Sequence, residues 1–411
     1  MIFEVENKIL ASAIEKVFSV VKEKSCIEML KYIHLELMDN ILTITVNNQE
    51  LLVKKKIEVA ILEEGSICVN ARKMKDITSI LGEGYLRFEA DDKNTISIKA
   101  TNSEFNLAGS NGDDFLHQDI KKMKISEVIM SLTADDILKL SKTKNFCSDD
   151  QFKMRMNGVS IKSNSTNKIT ICGCDGWSIY LVPLEKQVNL TKIGVLDIIL
   201  TIESLNLLLA LKEDFDFKLL QIKQEKGFKI IGIIAENNNS FLRLSIIDEV
   251  FPPYDNVLPK DLPNSISVDK SEFINAIKKS AICMNEVSKL IDFYITPNEI
   301  RISGNDNDTK REAISILNCE ADIYKNTSLV YVKLLTILGA LTTERIKIET
   351  DNAANKGLIF KNIPDDDCVA LLMPHNRAKI PTITKEESDR MLEEFKQKKD
   401  KKNGYFTKKC R

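Results

Sequence analysis

The cysteines and histidines are the side chains in this 411-residue sequence that could bind a metal ion or act as nucleophiles. Cys172 and Cys174 form the closest cysteine pair, but no histidine or second cysteine pair lies nearby in the sequence. His34, His117 and His375 are each isolated. Nine cysteines without Cys-x-x-Cys spacing indicate reduced thiols in a reducing compartment. We therefore expect neither a metal site nor a cofactor.

Catalytic motifs are the second feature that could carry chemistry, and the sequence favours a protein without enzymatic activity. It contains no glycine-rich phosphate loop, no Gly-x-Ser-x-Gly and no histidine paired with a carboxylate at metal-ligand spacing. A polymerase or nuclease needs carboxylates that converge on metal ions. The acidic clusters fall instead in turn-like segments, among them Glu63-Glu64, Asp91-Asp92, Asp149-Asp150 and Asp365-Asp366-Asp367.

The only tryptophan, Trp177, follows a strong turn signal. Ile169 and Ile171 alternate with a threonine, and Asp175-Gly176 has the chemistry of a two-residue turn. Residues 168–184 are therefore predicted to form a β-hairpin. Two alternatives follow for the indole ring: it closes the hairpin as a core residue, or it faces solvent and contacts a partner.

The elements that must position these residues repeat along the chain. A short strand followed by an amphipathic helix is predicted six times, with start points about 60 to 70 residues apart. The predicted pairs are Ile2–Val5 with Lys8–Lys24, Ser66–Val69 with Arg72–Leu81, Val128–Leu132 with Ala134–Phe146, Asp197–Thr201 with Glu203–Lys212, Ser265–Val268 with Lys270–Ala281, and Ser328–Tyr331 with Lys333–Leu341.

Two such units are expected to form one domain, with both helices on the same side of its sheets. The predicted fold class is α+β. It has three repeated domains, residues 1–125, 126–262 and 263–380, and a C-terminal extension, residues 381–411.

The formal net charge is only −2, so any binding of nucleic acid must come from segregated charge. A lysine-bearing helix face is ordinarily a solvated face. If the domains instead curl into an arc with the helices inside, the concave surface is basic and suits a polyanion whose sequence is not read. The cations at polar positions of the predicted helices are Lys16, Lys22, Lys24, Arg72, Lys73, Lys75, Lys139, Lys142, Lys144, Lys212, Lys270, Lys278, Lys279 and Lys333.

Three motifs resemble those of bacterial sliding clamps, the ring-shaped β subunits of the replicative DNA polymerase. Residues 174–179 resemble the family's Thr-Asp-Gly-His-Arg-Leu segment and follow Met156-Asn157-Gly158, where the family has Leu-Asn-Gly. Residues 251–259 are similar to Phe-Pro-Asp-Tyr-x-x-Val-Leu-Pro, and Leu372-Met373-Pro374 is similar to the closing Val-Met-Pro. The order and spacing are those of the family, and the resemblance covers roughly residues 1–377.

This resemblance implies a head-to-tail homodimer whose domains form a ring around double-stranded DNA, with helices inside and sheets outside. It implies a non-catalytic processivity factor that is opened by an ATP-driven clamp loader. A peptide-binding groove would tether the catalytic subunit of the replicative polymerase and other clamp-motif proteins. The alternative is an accessory or mobile-element paralogue, derived from a clamp, that sequesters clamp partners.

The resemblance also implies site residues, carried over position by position. The groove would be lined by Met156, Cys174, Gly176, Trp177, Ile179, Pro252, Val257, Leu371, Met373 and Pro374. DNA would be contacted by Lys24, Arg72, Lys73, Gln151, Lys153 and Arg155. The dimer interface would use Phe105, Leu107, Ile282 and Cys283.

The sequence departs from the family at several of these places. Trp177-Ser178 replaces His-Arg, Asn256 replaces an arginine, and His375-Asn376-Arg377 replaces the usual ending, so the groove is expected to be less basic. Met154-Arg155 stands where the family often has an aromatic pair, which argues against stacking on DNA at those two positions.

The segment after Pro374 extends beyond the family's usual end. Thr384 to Glu387 has a capping-box pattern, which predicts a helix with Met391, Leu392 and Phe395 on one face. This tail is either a solvated extension or a segment that docks beside the groove. No apolar run reaches the length of a membrane span, and residues 1–20 lack a signal-peptide pattern, so a cytoplasmic protein without membrane contact is expected.

Overall fold

The structure is a computed structural model that describes residues 1–116, 123–164, 166, 168–189, 195–224, 227–259, 262–306, 308–351 and 356–375. His117 and the predicted tail helix lie outside the described residues. The chain divides into two compact units. The first consists of Met1–Ile171 and Leu184–Phe251, and the second of Cys172–Pro183 and Pro252–Arg411.

Six α-helices occur in the described ranges, and each begins at or within two residues of the end of a strand. They are α1 (Asn7–Phe18), α2 (Ala71–Ile80), α3 (Ala134–Thr143), α4 (Ile202–Leu211), α5 (Lys270–Ala281) and α6 (Tyr331–Ala340). Short 3-10 segments lie at Glu28–Lys31, Gly112–Asp114, Lys144–Phe146, Gln151–Met156 and Tyr254–Asn256.

Strands make up most of the remaining described chain. The first fourteen are β1 (Ile2–Glu6), β2 (Tyr32–Met38), β3 (Ile41–Asn47), β4 (Leu52–Glu58), β5 (Ala60–Glu63), β6 (Gly65–Asn70), β7 (Tyr85–Ala90), β8 (Thr95–Ala100), β9 (Ser103–Ala108), β10 (Ser110–Asn111), β11 (Lys124–Leu132), β12 (Gly158–Ser163), β13 (Lys168–Cys174) and β14 (Ser178–Gln187). The others are β15 (Asp197–Thr201), β16 (Phe215–Gln224), β17 (Gly227–Glu236), β18 (Ser240–Leu244), β19 (Ile246–Ile247), β20 (Asn264–Asp269), β21 (Leu290–Ile295), β22 (Glu299–Asp306), β23 (Arg311–Asn318), β24 (Glu320–Ala321), β25 (Lys325–Val330), β26 (Arg345–Thr350), β27 (Leu358–Ile363) and β28 (Val369–Leu372).

The first unit contains a five-stranded sheet in the order β5-β1-β7-β8-β9 and a nine-stranded sheet in the order β10-β6-β2-β3-β4-β18-β17-β16-β11. It also contains the strand row β19-β15-β12-β13. The second unit contains the row β14-β28-β27-β26-β20-β24 and the four-stranded sheet β23-β22-β21-β25. Strands β13 and β14 each cross from one unit to the other along the chain.

All six predicted strand–helix pairs are confirmed, and side-chain caps explain why four of the helices begin where they do. Thr133 and Asp136 form a reciprocal capping box at α3, in which each side chain accepts the other residue's backbone N–H. Asn70, Thr201 and Asp269 each accept one backbone N–H from the first turn of α2, α4 and α5, respectively. These caps satisfy donors that have no partner inside the helix.

The first helix is shorter than predicted. Residues 8–24 were expected to be helical, but α1 ends at Phe18. The backbone N–H of Val21 bonds to the carbonyl of Phe18, and the side chain of Val20 is buried, so the chain turns into the core at this point. Lys22 and Lys24 therefore lie in a loop, where they are exposed, and not on the helix.

A half-buried charge network lies in the first unit, where β4 pairs with β18. The ammonium of Lys55 is 2.6 Å from the carboxylate of Glu213, and that of Lys16 is 3.3 Å from it. Burial alone would raise the pKa of Glu213. Hydrogen bonds from Lys55, Ser240 and Asn237 outweigh this effect and lower its pKa to about 2.

Candidate functional site

The turn between β13 and β14 displays Trp177. The backbone N–H of Asp175 donates to the carbonyl of Ser178 at 3.3 Å, so Gly176 and Trp177 form the tip. Gly176 has φ +92°, a backbone conformation that favours glycine. The turn was predicted at Asp175-Gly176, but Asp175 flanks the tip because its carboxylate accepts the backbone N–H groups of residues 177 and 178.

The Asp175 carboxylate also holds the turn to a helix of the same unit. It is 6% exposed, accepts a hydrogen bond from the Ser178 hydroxyl at 3.0 Å and forms an ion pair with Lys333 of α6. Charge-assisted contacts of this kind fix geometry strongly when the carboxylate is buried. Sequence reasoning counted Lys333 only among helix-face cations and missed its role in holding this turn. No local pattern relates Lys333 to a turn more than 150 residues earlier.

The indole of Trp177 faces solvent, being 52% exposed, so the core alternative is wrong. Its carbonyl accepts the backbone N–H of Met373 at 2.9 Å. Strand β14 pairs antiparallel with β28, with Ser178 opposite Leu372 and Ile179 opposite Leu371. The β13–β14 turn and the end of β28 thus bring the motif at residues 174–179 and the motif at residues 372–374 together within the second unit.

The predicted groove residues divide by exposure. Gly176, Trp177 and Val257 are exposed, and Pro252 and Met373 are half-buried. Four others are buried and offer little area to a partner: Cys174, Ile179, Leu371 and Pro374. Pro252 and Val257 lie on a second segment of this unit, around a 3-10 turn at Tyr254. Met156 is half-buried in the first unit.

The predicted DNA-contacting residues all belong to the first unit. Lys24 and Lys73 are exposed. Arg72 is exposed but lies 3.6 Å from Glu23 and 3.4 Å from Asp76, so part of its charge is neutralised. In the second cluster, Gln151 and Arg155 are exposed and Lys153 is half-buried.

The segment Gln151–Met156 carries an aromatic side chain that sequence reasoning overlooked. Phe152 is 98% exposed, and Met154 is also exposed. The Asp150 carboxylate accepts the backbone N–H of Phe152 at 3.0 Å and thereby starts this 3-10 turn. The available signal was an aromatic residue between polar and basic neighbours. An exposed ring beside cations is able to stack on a base.

The prediction of six equivalent basic helices is wrong. Helix α4 contains no lysine or arginine, because Lys212 lies at its C-cap. The one lysine of α6, Lys333, is paired with Asp175. Lys16 and Lys75 are also paired, with Glu213 and Glu15. Exposed cations within the helices remain on α1, α2, α3 and α5, at Lys8, Arg72, Lys73, Lys139, Lys278 and Lys279.

The predicted dimer residues lie near two sheet edges. Strand β9, with Phe105 and Leu107 half-buried, is the last strand of the five-stranded sheet, and β23 is the last strand of the four-stranded sheet. After α5, Ile282 is 78% exposed and Cys283 is half-buried. An edge strand presents unpaired backbone groups to another chain.

Three of the described cysteines, Cys68, Cys172 and Cys174, are buried. Cys172 and Cys174 are buried thiols that do not form a disulfide. Burial, reinforced by the charge of Asp114, raises the pKa of Cys68 to about 12, which keeps its thiol protonated. Among the described residues, no group of three or more His, Cys, Asp and Glu side chains could hold a metal ion. In the same part of the chain, no helix is long and apolar enough to cross a membrane.

Comparison with known proteins identifies the family. Residues 1–119 match the model of the DNA polymerase III beta subunit N-terminal domain, and residues 255–376 match that of its C-terminal domain. The chain is 23% identical over 389 residues to the beta sliding clamp of Vibrio cholerae, covering 91% of this chain and 99% of that protein. It is 24% identical over 368 residues to the beta sliding clamp of Helicobacter pylori, covering 88% of this chain and 92% of that protein.

Solved structures give the same fold. The DNA polymerase sliding clamp of Pseudomonas aeruginosa is similar to this chain with a TM-score of 0.80 at 20% identity. The match covers 92% of this chain and 100% of that one. The beta sliding clamp of Caulobacter crescentus has a TM-score of 0.80 at 18% identity, with 92% of this chain covering 99% of it. The two family matches together span more than half of the sequence, and this chain belongs to the family of the DNA polymerase III beta subunit, the beta sliding clamp.

Proposed function

We propose that this protein is a DNA sliding clamp, a non-catalytic processivity factor that encircles duplex DNA and tethers the replicative polymerase. Family membership at both ends of the chain is the observation that carries this proposal. The relatives are covered over nearly their whole length, which supports carrying the role of a complete clamp to this chain. On this proposal the protein acts in the cytoplasm, where bacterial replication takes place.

Contact with DNA is assigned to the cations of the first unit. Lys24, Lys73 and Arg155 are exposed, and Arg72 keeps an exposed guanidinium beside its two acidic neighbours. Lysine and arginine that meet phosphates give affinity that depends on salt and not on base sequence, as a sliding protein requires. Gln151 and Lys153 complete the assigned set, and the exposed ring of Phe152 lies in the same segment.

Ring closure is assigned to two of the sheet edges, those at β9 and β23. On this proposal β9 of one copy, with Phe105 and Leu107, meets the region of β23, Ile282 and Cys283 in a second copy. The contact is heterologous, because each copy uses a different edge, and such a contact gives a closed ring if it closes after two copies. The domain division proposed with it is 1–125, 126–262 and 263–380, two strand–helix units in each.

Partner binding is assigned to the surface around Trp177. A large exposed ring on a rigid turn, next to the flexible side chain of Met373, suits the apolar anchors of a short peptide. Pro252 and Val257 are proposed as further lining residues, and Met156 stays a prediction. The polymerase catalytic subunit, the clamp loader and other clamp-motif proteins are the proposed occupants.

Retention on circular DNA tests the proposal. The protein would be loaded by a clamp loader onto nicked circular DNA, which is then separated from free protein and cut once. A clamp stays on the circle and slides off the linear form, because only topology holds it. Equal loss from both forms would contradict encirclement and would favour a paralogue that only sequesters clamp partners.

A further inference from the structure

The Trp177 surface, defined as Gly176, Trp177, Met373 and His375, is an exposed and partly apolar face of the second unit. Trp177 is 52% exposed, although its turn is held on one side by Asp175 and on the other by the backbone N–H of Met373. A large ring that is exposed on a rigid support indicates an interaction surface and not a mobile loop.

The chain leaves this same surface toward its C-terminus. Strand β28 ends at Leu372, and the backbone N–H of His375 donates to the carbonyl of Ser328 at 2.9 Å. This bond holds the exit point against β25. His375 is the last described residue and belongs to this surface, so residues 376–411 follow directly from it along the chain.

The tail is long enough and apolar enough to cover the surface. The match to the family's C-terminal domain ends at residue 376, so residues 377–411 lie beyond the family's core. The sequence of this tail places Met391, Leu392 and Phe395 at helical spacing among charged residues. The sixteen residues up to Met391 span at most about 55 Å when extended, and about 22 Å as a flexible coil.

Tethering makes even weak docking effective. A segment attached by a short flexible linker has an effective concentration on the order of millimolar. If the tail binds the surface in trans with a dissociation constant of about 0.1 mM, then in cis it covers the surface in about nine of ten molecules. Partner affinity then falls about tenfold, because only one molecule in ten is free to bind.

We propose that Met391, Leu392 and Phe395 of the chain's own tail occupy the Trp177 surface and compete there with partner peptides. The competition rests on the proposed function, whereas the docking does not. The tail therefore sets a minimum affinity and local concentration for partner binding, because a partner must displace a tethered competitor. A short linker and an adjacent exit point favour the chain's own tail over that of a second copy.

Trp177 is the only tryptophan, so its fluorescence reports directly on this surface. Acrylamide quenching would be measured on the full chain and on a chain ending at Ala378. Truncation should raise the Stern–Volmer quenching constant at least about twofold, because the covered fraction falls from about nine-tenths to zero. A synthetic peptide of residues 384–411, added to the truncated chain, should lower it again.

Substitutions in the full-length chain keep the test independent of truncation. M391S/L392S/F395S should raise quenching as truncation does, whereas the control K398S/K399S/K401S, in the same tail, should leave it unchanged. If the Stern–Volmer quenching constant of the full chain varies with protein concentration, the surface is occupied by the tail of a second copy. That result would overturn docking in cis. Equal quenching in the full chain, the truncated chain and the apolar variant would overturn the inference altogether.

The outcomes separate this inference from the proposed function. If Trp177 is shielded by the tail but the protein leaves circular DNA, docking stands and the clamp assignment fails. If the truncated chain stays on circular DNA and its Trp177 fluorescence does not respond to the tail peptide, the clamp assignment stands and docking fails.

Discussion

Asp175 joins the chemistry of the Trp177 turn to the rest of its unit. Its carboxylate accepts two backbone N–H groups and one hydroxyl, and it forms an ion pair with Lys333 while being almost fully buried. A buried carboxylate that loses its cation is left with an uncompensated charge. The way Trp177 is displayed therefore depends on a lysine of α6 that does not itself belong to the turn.

Replacing Lys333 should lower the stability of the protein and change the environment of Trp177. K333M removes the ammonium and keeps much of the apolar stem, so we expect the free energy of unfolding to fall by about 2 kcal/mol. Emission from Trp177 should shift as the turn loosens. Urea unfolding and fluorescence spectra measure the two effects. The control K278M removes an exposed lysine of α5 and should change neither; no effect of K333M on either quantity would contradict the positioning role.

The low pKa of Glu213 predicts that the free energy of unfolding decreases at acidic pH. Its pKa is about 2, below its ordinary value of 4.5, because hydrogen bonds from Lys55, Ser240 and Asn237 outweigh its burial. Its contribution is therefore complete above pH 4.5 and is lost as the pH falls toward 2. A depression of this size corresponds to about 3 kcal/mol of stability at pH 7.

The variant E213Q should show this loss directly. At pH 7 its free energy of unfolding should be lower than that of the parent by about 3 kcal/mol, and the difference should shrink as the pH is lowered from 4.5 toward 2. Urea unfolding at pH 7, 4.5 and 3 measures it. The control E83Q alters an 87% exposed carboxylate and should stay within about 0.5 kcal/mol of the parent at each pH. A pH-independent difference in E213Q would contradict the charge network as its cause.

At the scale of elements, β9 and β23 are the last strands of their sheets within the described residues, and the proposed dimer uses these two edges. The side chains of Phe105 and Leu107 lie two residues apart on one face of β9, as the alternation of a strand requires. Their half-burial leaves apolar area on that face. In the second unit, Ile282 directly follows the last residue of α5. Its side chain is exposed and provides apolar area there.

A charge on this face should break the proposed dimer. F105D places a carboxylate where the contact would bury it, so we expect the dimer dissociation constant to rise by about 100-fold or more. Sedimentation velocity over a range of concentrations measures it. N106D, whose side chain points to the other side of the strand, is the matched control and should assemble as the parent does. A parent protein that stays monomeric at all concentrations would rule out the dimer itself.

For the whole molecule, binding to DNA and staying on DNA should depend on different residues. Phosphate contacts determine equilibrium binding to a short duplex, whereas ring opening determines how long a loaded clamp remains on a circle. R72S/K73S should lower the slope of log K against log salt by about 1.8, because each lost phosphate contact contributes about 0.9. Its retention on circular DNA should equal that of the parent.

The interface variant should behave in the opposite way. F105D should bind a short duplex with the parent's salt slope per chain but should leave circular DNA much faster. Anisotropy on a labelled duplex and bead-bound circular DNA supply the two measurements. K93S/K99S, which removes the exposed Lys93 of the β7–β8 turn and the exposed Lys99 of β8, is the control for charge loss and should match the parent in both. Equal effects of R72S/K73S and F105D on retention would contradict topological holding.

Local patterns in the sequence were sufficient for the six strand–helix pairs, the hairpin at residues 168–184 and the family motifs. Caps such as Thr133 with Asp136, and alternation such as Ile96 with Ile98, act over a few residues, so they can be read from the chain without its fold. The same motifs identified the family. The end of α1 was misplaced because Val20 turns into a core made by distant residues.

Tertiary structure alone decided which of the predicted site residues are accessible. Trp177 is exposed, whereas Cys174 and Leu371 are buried, and sequence alternation does not distinguish these cases when both faces of a strand are covered. The pairing of Lys333 with Asp175 and of Lys55 with Glu213 joins residues more than 150 positions apart. Charges that looked free in the sequence are therefore neutralised in the fold, because long-range contacts and not local spacing determine a lysine's partner.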